Sequence, residues 1–548
     1  MKKFIYMKNF FSNTTLAHDF LARDYSTKRI IIKASRVIIL ILFYLSLLVS
    51  LSAQATIQWQ KTYGGSEFEQ LYSIQQTTDS GFVMVGVTFS NNGDVSGNHG
   101  GVDFWVVKVT ESGVIQWKKT YGGSNNDWPY SIQQTSDGGY IMAGLTMSNN
   151  GDVLGNHGDR DCWVVKLNGA GAIQWQKSLG GSGPDEGWSV KQTSDGGYIV
   201  AGGSASNNGD VMGNHGYYDV WVVKLSGAGD IQWQKSLGGS NADNAKCVIQ
   251  TSDGGYMVAG ETESNDGDVS VSYGNPDFWI VKLDEAGSIE WEKALGGIGI
   301  DVARSISQLS DGNYVVSGYV GSAVPGHLGG FDYWVVKLNS TGEVLWQKAY
   351  GGGENDQAYG MQATTDGGFI IIGDSYSTNG DVLGNDGGLD IWVLKLNGLG
   401  EIVWQETLGG TQAEGGLTIG QTIDGGYILG GFTWSTNGDV SGSGNHGESD
   451  FWVVKLSPES VNTEDFTVQT ASLEIYPNPA THNITLQIAS EAPTLAICIT
   501  DFLGRELSRQ TIANGGSTDI AALPNGLYHV AATTPRGKVF SGKFRKQE

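Results

Sequence analysis

Cysteine is nearly absent: Cys162, Cys247 and Cys498 are the only three in 548 residues. An odd, scattered set without metal-ligand spacing excludes a disulfide framework and a cysteine-ligated zinc site. Cys162 and Cys247 fall in predicted strands, where they read as small buried apolar residues. Proline is scarce too, at 10 residues, while glycine reaches 82 and tryptophan 17. That balance excludes collagen, a coiled coil and a disordered chain, and it suits many short strands joined by glycine turns. Helical periodicity is missing from the body of the chain.

Basic residues are the third shortage, 33 against 57 acidic ones, for a net charge of −24. Residues 1–55 hold eight Lys/Arg and two Asp, leaving −30 on the remainder. From Leu473 onward seven basic and six acidic residues nearly cancel, so the acidity sits on the central region. Such a surface repels nucleic acid and anionic lipid, and it favours cations or neutral partners where it does more than confer solubility.

Long apolar runs are limited to one. Residues 37–51 follow Lys28, Arg29, Lys33 and Arg36 and lead into Ala53-Gln54-Ala55. Basic, apolar and small-residue regions in that order predict a signal peptide over 1–55, with an unusually long basic region that leaves Met7 as an alternative start. The rival is an uncleaved signal anchor, since the run approaches spanning length. Membrane contact is expected only through this segment or through attachment at the surface.

What is present is a repeat. Ile-Gln-Trp or a variant recurs with its tryptophan at Trp59, Trp117, Trp175, Trp233, Trp291, Trp346 and Trp404, spaced 58, 58, 58, 58, 55 and 58. An Asp-x-Trp motif recurs at Trp105, Trp163, Trp221, Trp279, Trp334, Trp392 and Trp452. A turn centred on Asp79, Asp137, Asp195, Asp253, Asp311, Asp366 and Asp424 keeps step. Within residues 189–236 a short strand, an Asp-Gly-Gly turn, a strand apolar on both faces, a long loop, the Asp-x-Trp strand and an alternating outer strand follow in turn. Four antiparallel strands per repeat predict propeller blades, and seven repeats predict a seven-bladed, all-β propeller over 56–456. Tandem immunoglobulin-like domains need about 100 residues each, and a β-helix has far shorter repeats. The phase adds a point: the chain enters on a spare Ile-Gln-Trp strand and leaves on Asp-x-Trp without one. Pairing 57–62 with 450–456 closes the ring and removes two bare sheet edges.

Residues 457–472 are polar and read as a linker. Then come Tyr476-Pro477-Asn478-Pro479, Leu503-Gly504-Arg505 and Leu523-Pro524-Asn525-Gly526-Leu527-Tyr528. In this order the motifs make residues 473–548 resemble the type A C-terminal sorting domain of the type IX secretion system of Bacteroidota. The resemblance implies a small β-sandwich recognised by the secretion machinery, and delivery of the chain to the cell surface or beyond it. The repeats also resemble blades of secreted proteins of that phylum, a resemblance that brings no activity with it.

Alternate connections of an up-and-down blade lie on opposite faces, so the long loops and the Gly-Gly loops between blades share one face. This is the face expected to bind. An acidic residue holds a fixed place after each Gly-Gly: Glu69, Asp127, Asp185, Asp243, Asp301, Asp356 and Glu414. At a channel mouth they could hold a metal ion or a polyhydroxylated or cationic ligand; the alternative is that each accepts backbone N–H bonds at a blade junction. In the long loops Asn92, Asp94, Ser96 and Asp103 stand at positions 1, 3, 5 and 12 of a calcium-loop pattern, with glycine at 6. Blade four offers Asp266, Asp268, Ser270 and Asp277. Calcium is therefore the candidate cofactor, against a plain glycine loop with Asx turns, because Leu154, Met212 and Leu383 break the pattern elsewhere. His99, His157, His215 and His446 sit one per blade, too dispersed to share a zinc ion. Trp128, Trp188 and Trp434 break the repeat; Trp128 and Trp188 are assigned to inter-blade loops, as sugar-stacking rings or as packed anchors. No nucleophile–base triad, phosphate loop or zinc motif stands out. The function expected is a non-catalytic binding module for a glycan or protein ligand. A structural spacer of the envelope and a polysaccharide-acting enzyme are the alternatives, the last through a carboxylate pair at the channel mouth.

Overall fold

The computed structural model describes residues 54–385, 388–442, 445–459, 473–488, 494–500, 505–533 and 539–547. The apolar run at 37–51, most of the 457–472 linker and Gly504 lie outside them. The chain divides into two compact units, 1–459 and 460–548. No helix of the described residues is long and apolar enough to cross a membrane.

The first unit contains seven four-stranded antiparallel sheets, and six of them are built from strands consecutive in sequence. The second sheet shows why. Its strands are Asp127–Gln134, Tyr140–Thr146, Asp161–Leu167 and Ile173–Leu179, from inside outward. The two middle strands are buried along their whole length, because neighbouring sheets cover both faces. The outer strand alternates and is partly exposed. The turn between the first two has Gly138 at φ 79°, a left-handed conformation that favours glycine. The Asp137 carboxylate accepts from the Gly139 N–H at 3.0 Å and pairs with the buried Lys166 ammonium at 2.9 Å. Trp163 fills the core, and its indole N–H donates to Gln176 on the outer strand at 2.7 Å.

The seventh sheet differs in one respect. Its outer strand is Ile57–Tyr63, from the start of the described chain, paired antiparallel with Asp450–Leu456. The contacts match those inside other sheets: Trp452 donates to Gln60 at 2.9 Å, and the Tyr63 hydroxyl donates to the Gly113 carbonyl at 2.7 Å. The first and seventh sheets are neighbours, for Glu69 N–H donates to Ser449 at 2.7 Å and Ile423 N–H to the Gln76 side chain at 2.8 Å.

Each junction between sheets is built on two buried carboxylates. Asp185 accepts from the Gly181 N–H and the Ser206 hydroxyl, both at 2.8 Å, and from the Ser204 hydroxyl. Beside it, Asp161 uses one oxygen for the His157 N–H at 2.8 Å, while its buried Oδ1 has no hydrogen-bond partner. A Cβ on Gly180 would collide with both carboxylates, so glycine is required where they meet. Burial raises the pKa of both carboxyls. At Asp332 burial, reinforced by Asp356 and Asp381, carries it to about 6. The turn aspartates go the other way: although burial opposes it, Thr135, Lys166 and Gly139 hold Asp137 at about 2.

The second unit has a three-stranded sheet of Glu474–Tyr476, Asn483–Gln487 and Gly516–Asp519. A four-stranded one follows, in the order Glu506–Ala513, Thr494–Thr500, Gly526–Thr533 and Val539–Lys546. Ile484, Leu486, Ile497, Val530 and Phe544 share one core. Pro477 and Pro479 have no N–H to give a ladder, and the Asn478 side chain takes their place. It donates to the Lys543 carbonyl at 3.0 Å and accepts from the Arg545 N–H at 2.9 Å. Tyr528 stacks on Phe544 at 5.4 Å and donates to the Pro524 carbonyl at 2.6 Å.

Deleting residues 56–63 strips the buried Tyr63 and bares the edge of Asp450–Leu456. The melting temperature is expected to fall by roughly 10 °C, with association visible on size exclusion; an unchanged monomer with unchanged melting shows the strand to be dispensable. Asp332 has a folded pKa above its unfolded value, so its contribution is full below about 4 and is lost as pH rises through about 6. Asp332→Asn is therefore expected to stabilise the protein by about 1–3 kcal/mol at pH 8 and by almost nothing at pH 4, as read by thermal denaturation at the two pH values.

Candidate binding site

The innermost strand of each sheet begins on the repeated carboxylate and pairs with the second strand, whose far end opens the long loop. Register places Asp185, Ser204 and Asp219 side by side, so the Gly-Gly loops and the long loops do share one end of the sheets. The carboxylates themselves do not ring an open mouth. Glu69, Asp127, Asp185, Asp243, Asp301, Asp356 and Glu414 are all fully buried. Protein donors take up their oxygens: Gly65 N–H reaches Glu69 at 2.7 Å, Gly123 N–H reaches Asp127 at 2.7 Å, and Gly410 N–H reaches Glu414 at 2.8 Å. A ligand in solution cannot reach them, and the junction alternative describes their geometry.

The calcium-loop pattern also fails to converge. Asn92 is engaged with Ser66 across the loop at 2.9 and 2.8 Å, and Asp94 faces Lys118 at 3.4 Å. Ser96 offers its carbonyl to Thr120 at 3.2 Å, and Asp103 is held by the His99 N–H at 2.9 Å. In the fourth sheet Asp266 accepts from Ser240 N–H at 2.7 Å, Asp268 from Gly238 N–H at 3.2 Å, and Asp277 from Tyr273 N–H at 2.6 Å. Ser270 donates its N–H to Glu292 at 3.3 Å. Asn92, Asp103, Asp266, Asp268 and Asp277 accept from backbone N–H groups in different places and Asp94 faces an ammonium, which corrects the calcium assignment. Among the described residues, no three His, Cys, Asp or Glu are grouped to hold a metal. His99, His157, His215 and His446 each sit against the Asp-x-Trp aspartate of their own sheet, at 2.7–2.8 Å.

Trp128 and Trp188 are not in loops either; they lie in the innermost strands Asp127–Gln134 and Asp185–Gln192. Trp128 packs edge-on to Phe89 at 6.3 Å, and Trp434 lies near Phe68 at 6.0 Å. Trp188 leads to the site that the motifs did not show. The pairing of every innermost strand skips one residue: Tyr72, Tyr130, Trp188, Lys246, Arg304, Tyr359 and Leu417. Each is the extra residue of a β-bulge, a device that re-aims a side chain and bends the strand. Opposite each bulge stands a glycine, such as Gly86 or Gly202, where a Cβ would strike the carbonyl of Gln70 or Glu186. That glycine in mid-strand was the available signal.

All seven bulge residues line one cavity of about 490 Å³, within the range of small-molecule sites. A second cavity of about 710 Å³ lies further along the same strands and shares Tyr359 and Leu417 with the first. In the first cavity, the upper one hereafter, Tyr130 stacks on Trp188 at 3.9 Å, and the Lys246 ammonium lies 4.2 Å from the Trp188 ring. Lys246 pairs with Glu261 at 3.2 Å; burial lowers its pKa against that attraction. Arg304 lies 5.5 Å from the Tyr319 ring and 5.4 Å from the Tyr359 ring. Asp374, on the second strand of the sixth sheet, accepts from the Gly416 N–H at 3.0 Å. Burial pushes its carboxyl up to about 8, only partly offset by that bond and by Tyr359, so at neutral pH it mostly carries a proton. Glu186 bridges Arg160 at 2.6 Å and accepts from the Trp188 indole at 3.0 Å, fixing the ring.

Comparison with known proteins places the two units differently. Residues 474–544 match the family model described as a secretion system C-terminal sorting domain. The regulatory protein FlaEY of Caulobacter vibrioides is 26% identical over 196 residues, 32% of this chain and 20% of that protein, so the chain spans about a fifth of its length. Among solved structures, the WD40 domain of Neurospora crassa Pan2 aligns at a TM-score of 0.43 and 10% identity, covering 75% of this chain and 97% of that one. A member of the DUF4221 family from Bacteroides vulgatus aligns at 0.30 and 9%, covering 74% and 98%. The terminal match and the repeated four-stranded sheets together make this chain a type IX-sorted, exported propeller-like repeat protein that carries a secretion system C-terminal sorting domain.

Proposed function

We propose that residues 56–456 form a closed seven-bladed propeller serving as a non-catalytic binding module, with a glycan as ligand in the upper cavity. Residues 473–548, a small β-sandwich reached through the 457–472 linker, deliver it through the type IX machinery. One observation carries this reading. The residues repeated in every sheet are spent on junctions, turns and core, while the residues that differ between sheets meet at one cavity. Repetition supplies a rigid scaffold, and variation within it supplies a site. The phenols of Tyr72, Tyr130 and Tyr359, the hydroxyls of Ser131 and Ser189 and the Gln70 amide give the cavity the mixed ring and hydrogen-bonding surface that sugars use.

The enzyme alternative draws on Asp374, whose protonated carboxyl on the cavity wall has the state a general acid needs. A polysaccharide panel offered to the full-length protein, with calcium and with chelator, separates the readings. Binding equal in both conditions is expected, weakened roughly tenfold by Trp188→Ala and accompanied by no new reducing ends. Reducing ends that vanish in Asp374→Asn would establish the enzyme instead. Silence across the whole panel would leave the structural spacer.

A further inference from the structure

Arg304 is out of place in this chain. Acidic residues outnumber basic ones 57 to 33, and among the described residues six of the seven repeated lysines, Lys108, Lys166, Lys224, Lys282, Lys395 and Lys455 but not Lys337, have an aspartate within 3.0 Å. Arg304, half-buried at the cavity, has no carboxylate at ion-pair distance among the described residues. A long contact to the Tyr319 hydroxyl at 3.4 Å is the hydrogen bond it makes, and its buried Nε has no acceptor. The Tyr319 and Tyr359 rings hold the guanidinium without offering it an oxyanion. A half-buried guanidinium with one long hydrogen bond and no acceptor on its buried Nε is under-satisfied, and this charge is free to receive an oxyanion. Lys246, on the adjacent sheet, points to the same cavity and is matched by Glu261 alone.

Resting on the cavity as the binding site, we propose that the ligand unit it takes is an acidic sugar of the uronic-acid class, whose carboxylate is received by Arg304 with Lys246 beside it. The planar two-oxygen acceptor matches the guanidinium fork, which a point charge does not require. One cation in excess suits a monoanion better than a phosphate dianion. Asp374, mostly protonated at neutral pH, adds little repulsion. A cavity of about 490 Å³ ringed by phenols and hydroxyls admits a sugar ring and its substituents. An acidic peptide would leave those hydroxyl partners unused.

Calorimetric titration of the full-length protein with methyl glucuronide, methyl glucoside, a glutamate-containing tripeptide and inorganic phosphate tests this. Glucuronide is expected to bind roughly tenfold to a hundredfold tighter than glucoside, a preference that Arg304→Gln removes and Arg304→Lys partly keeps. Arg304→Gln is expected to melt at the same temperature as the parent or higher, since it deletes an unpaired charge. Equal binding of both sugars overturns the acidic assignment and leaves the cavity reading standing. Peptide or phosphate bound in preference to glucuronide overturns the sugar. No heat from any probe overturns both readings. An Arg304→Gln protein that melts lower yet binds glucuronide unchanged would make Arg304 structural.

Discussion

Every innermost strand starts on a carboxylate that never meets solvent, and the rest of the first unit is arranged around it. Asp185 binds a Gly-Gly loop N–H on one side and, on the other, the hydroxyls of Ser204 at the end of the second strand and Ser206 at the start of the long loop, so one side chain ties together two connections and a strand. Hydrogen bonds to an ionised acceptor are worth about 1.5–3 kcal/mol each, against the cost of burying the charge. The offset between these terms is visible in the raised pKa of the pair. With its first residue pinned in this way, the strand presents its bulge, three residues on, at a fixed place. The side chain there can then change from tyrosine to tryptophan, lysine or arginine without disturbing the neighbouring sheets.

Neighbouring sheets are also strapped at their other end. A glutamine closing six of the seven innermost strands accepts the turn N–H of the preceding sheet, as Gln192 does from Ser136 at 2.8 Å and Gln250 from Ser194 at 2.8 Å. The sixth sheet has Ala363 at that position, so the fifth turn receives no such strap. There Asp311 bonds Asn313 of its own turn, at 3.0 and 2.8 Å. This is also where the repeat shortens to 55 residues and the long loop departs from its pattern. The irregular stretch of the first unit thus adjoins Arg304, Tyr319 and Asp374, and the departures from the repeat accumulate around the charged side of the cavity.

Strand order, turn chemistry and the pairing of 57–62 with 450–456 were legible because they depend on apolar alternation and repeat phase, both local properties of the chain. The end shared by the two loop sets followed from counting antiparallel strands. The cavity was not legible, for a physical reason. A bulge shifts the two-residue alternation by one, so Trp188 falls out of step with Glu186 and was assigned to a loop. Only the glycines opposite, Gly86, Gly144 and Gly202 among them, recorded the close approach of the strands. The calcium pattern misled for the opposite reason. Asn, Asp and Ser at alternate loop positions satisfy backbone N–H groups as well as they would ligate a cation, and spacing cannot tell which they do.

An anion site inside an acidic propeller is consistent electrostatically, once range is considered. Surface charges act through a Debye length of about 8 Å at physiological ionic strength, so most of the net −24 is screened at the cavity. Contact partners in a half-buried site are screened far less, and there the nearest groups are Arg304, Lys246, Glu261 and a mostly protonated Asp374. Lys246 and Glu261 balance each other, so the guanidinium sets the local sign. The expectation from composition, that the acidic surface favours cations or neutral partners, holds for whatever touches the outside. It does not extend to a cavity whose lining differs from sheet to sheet. The same acidity also slows the approach of long polyanions, because many like charges must cross the surface field together. A single carboxylate crosses it at a small fraction of that cost.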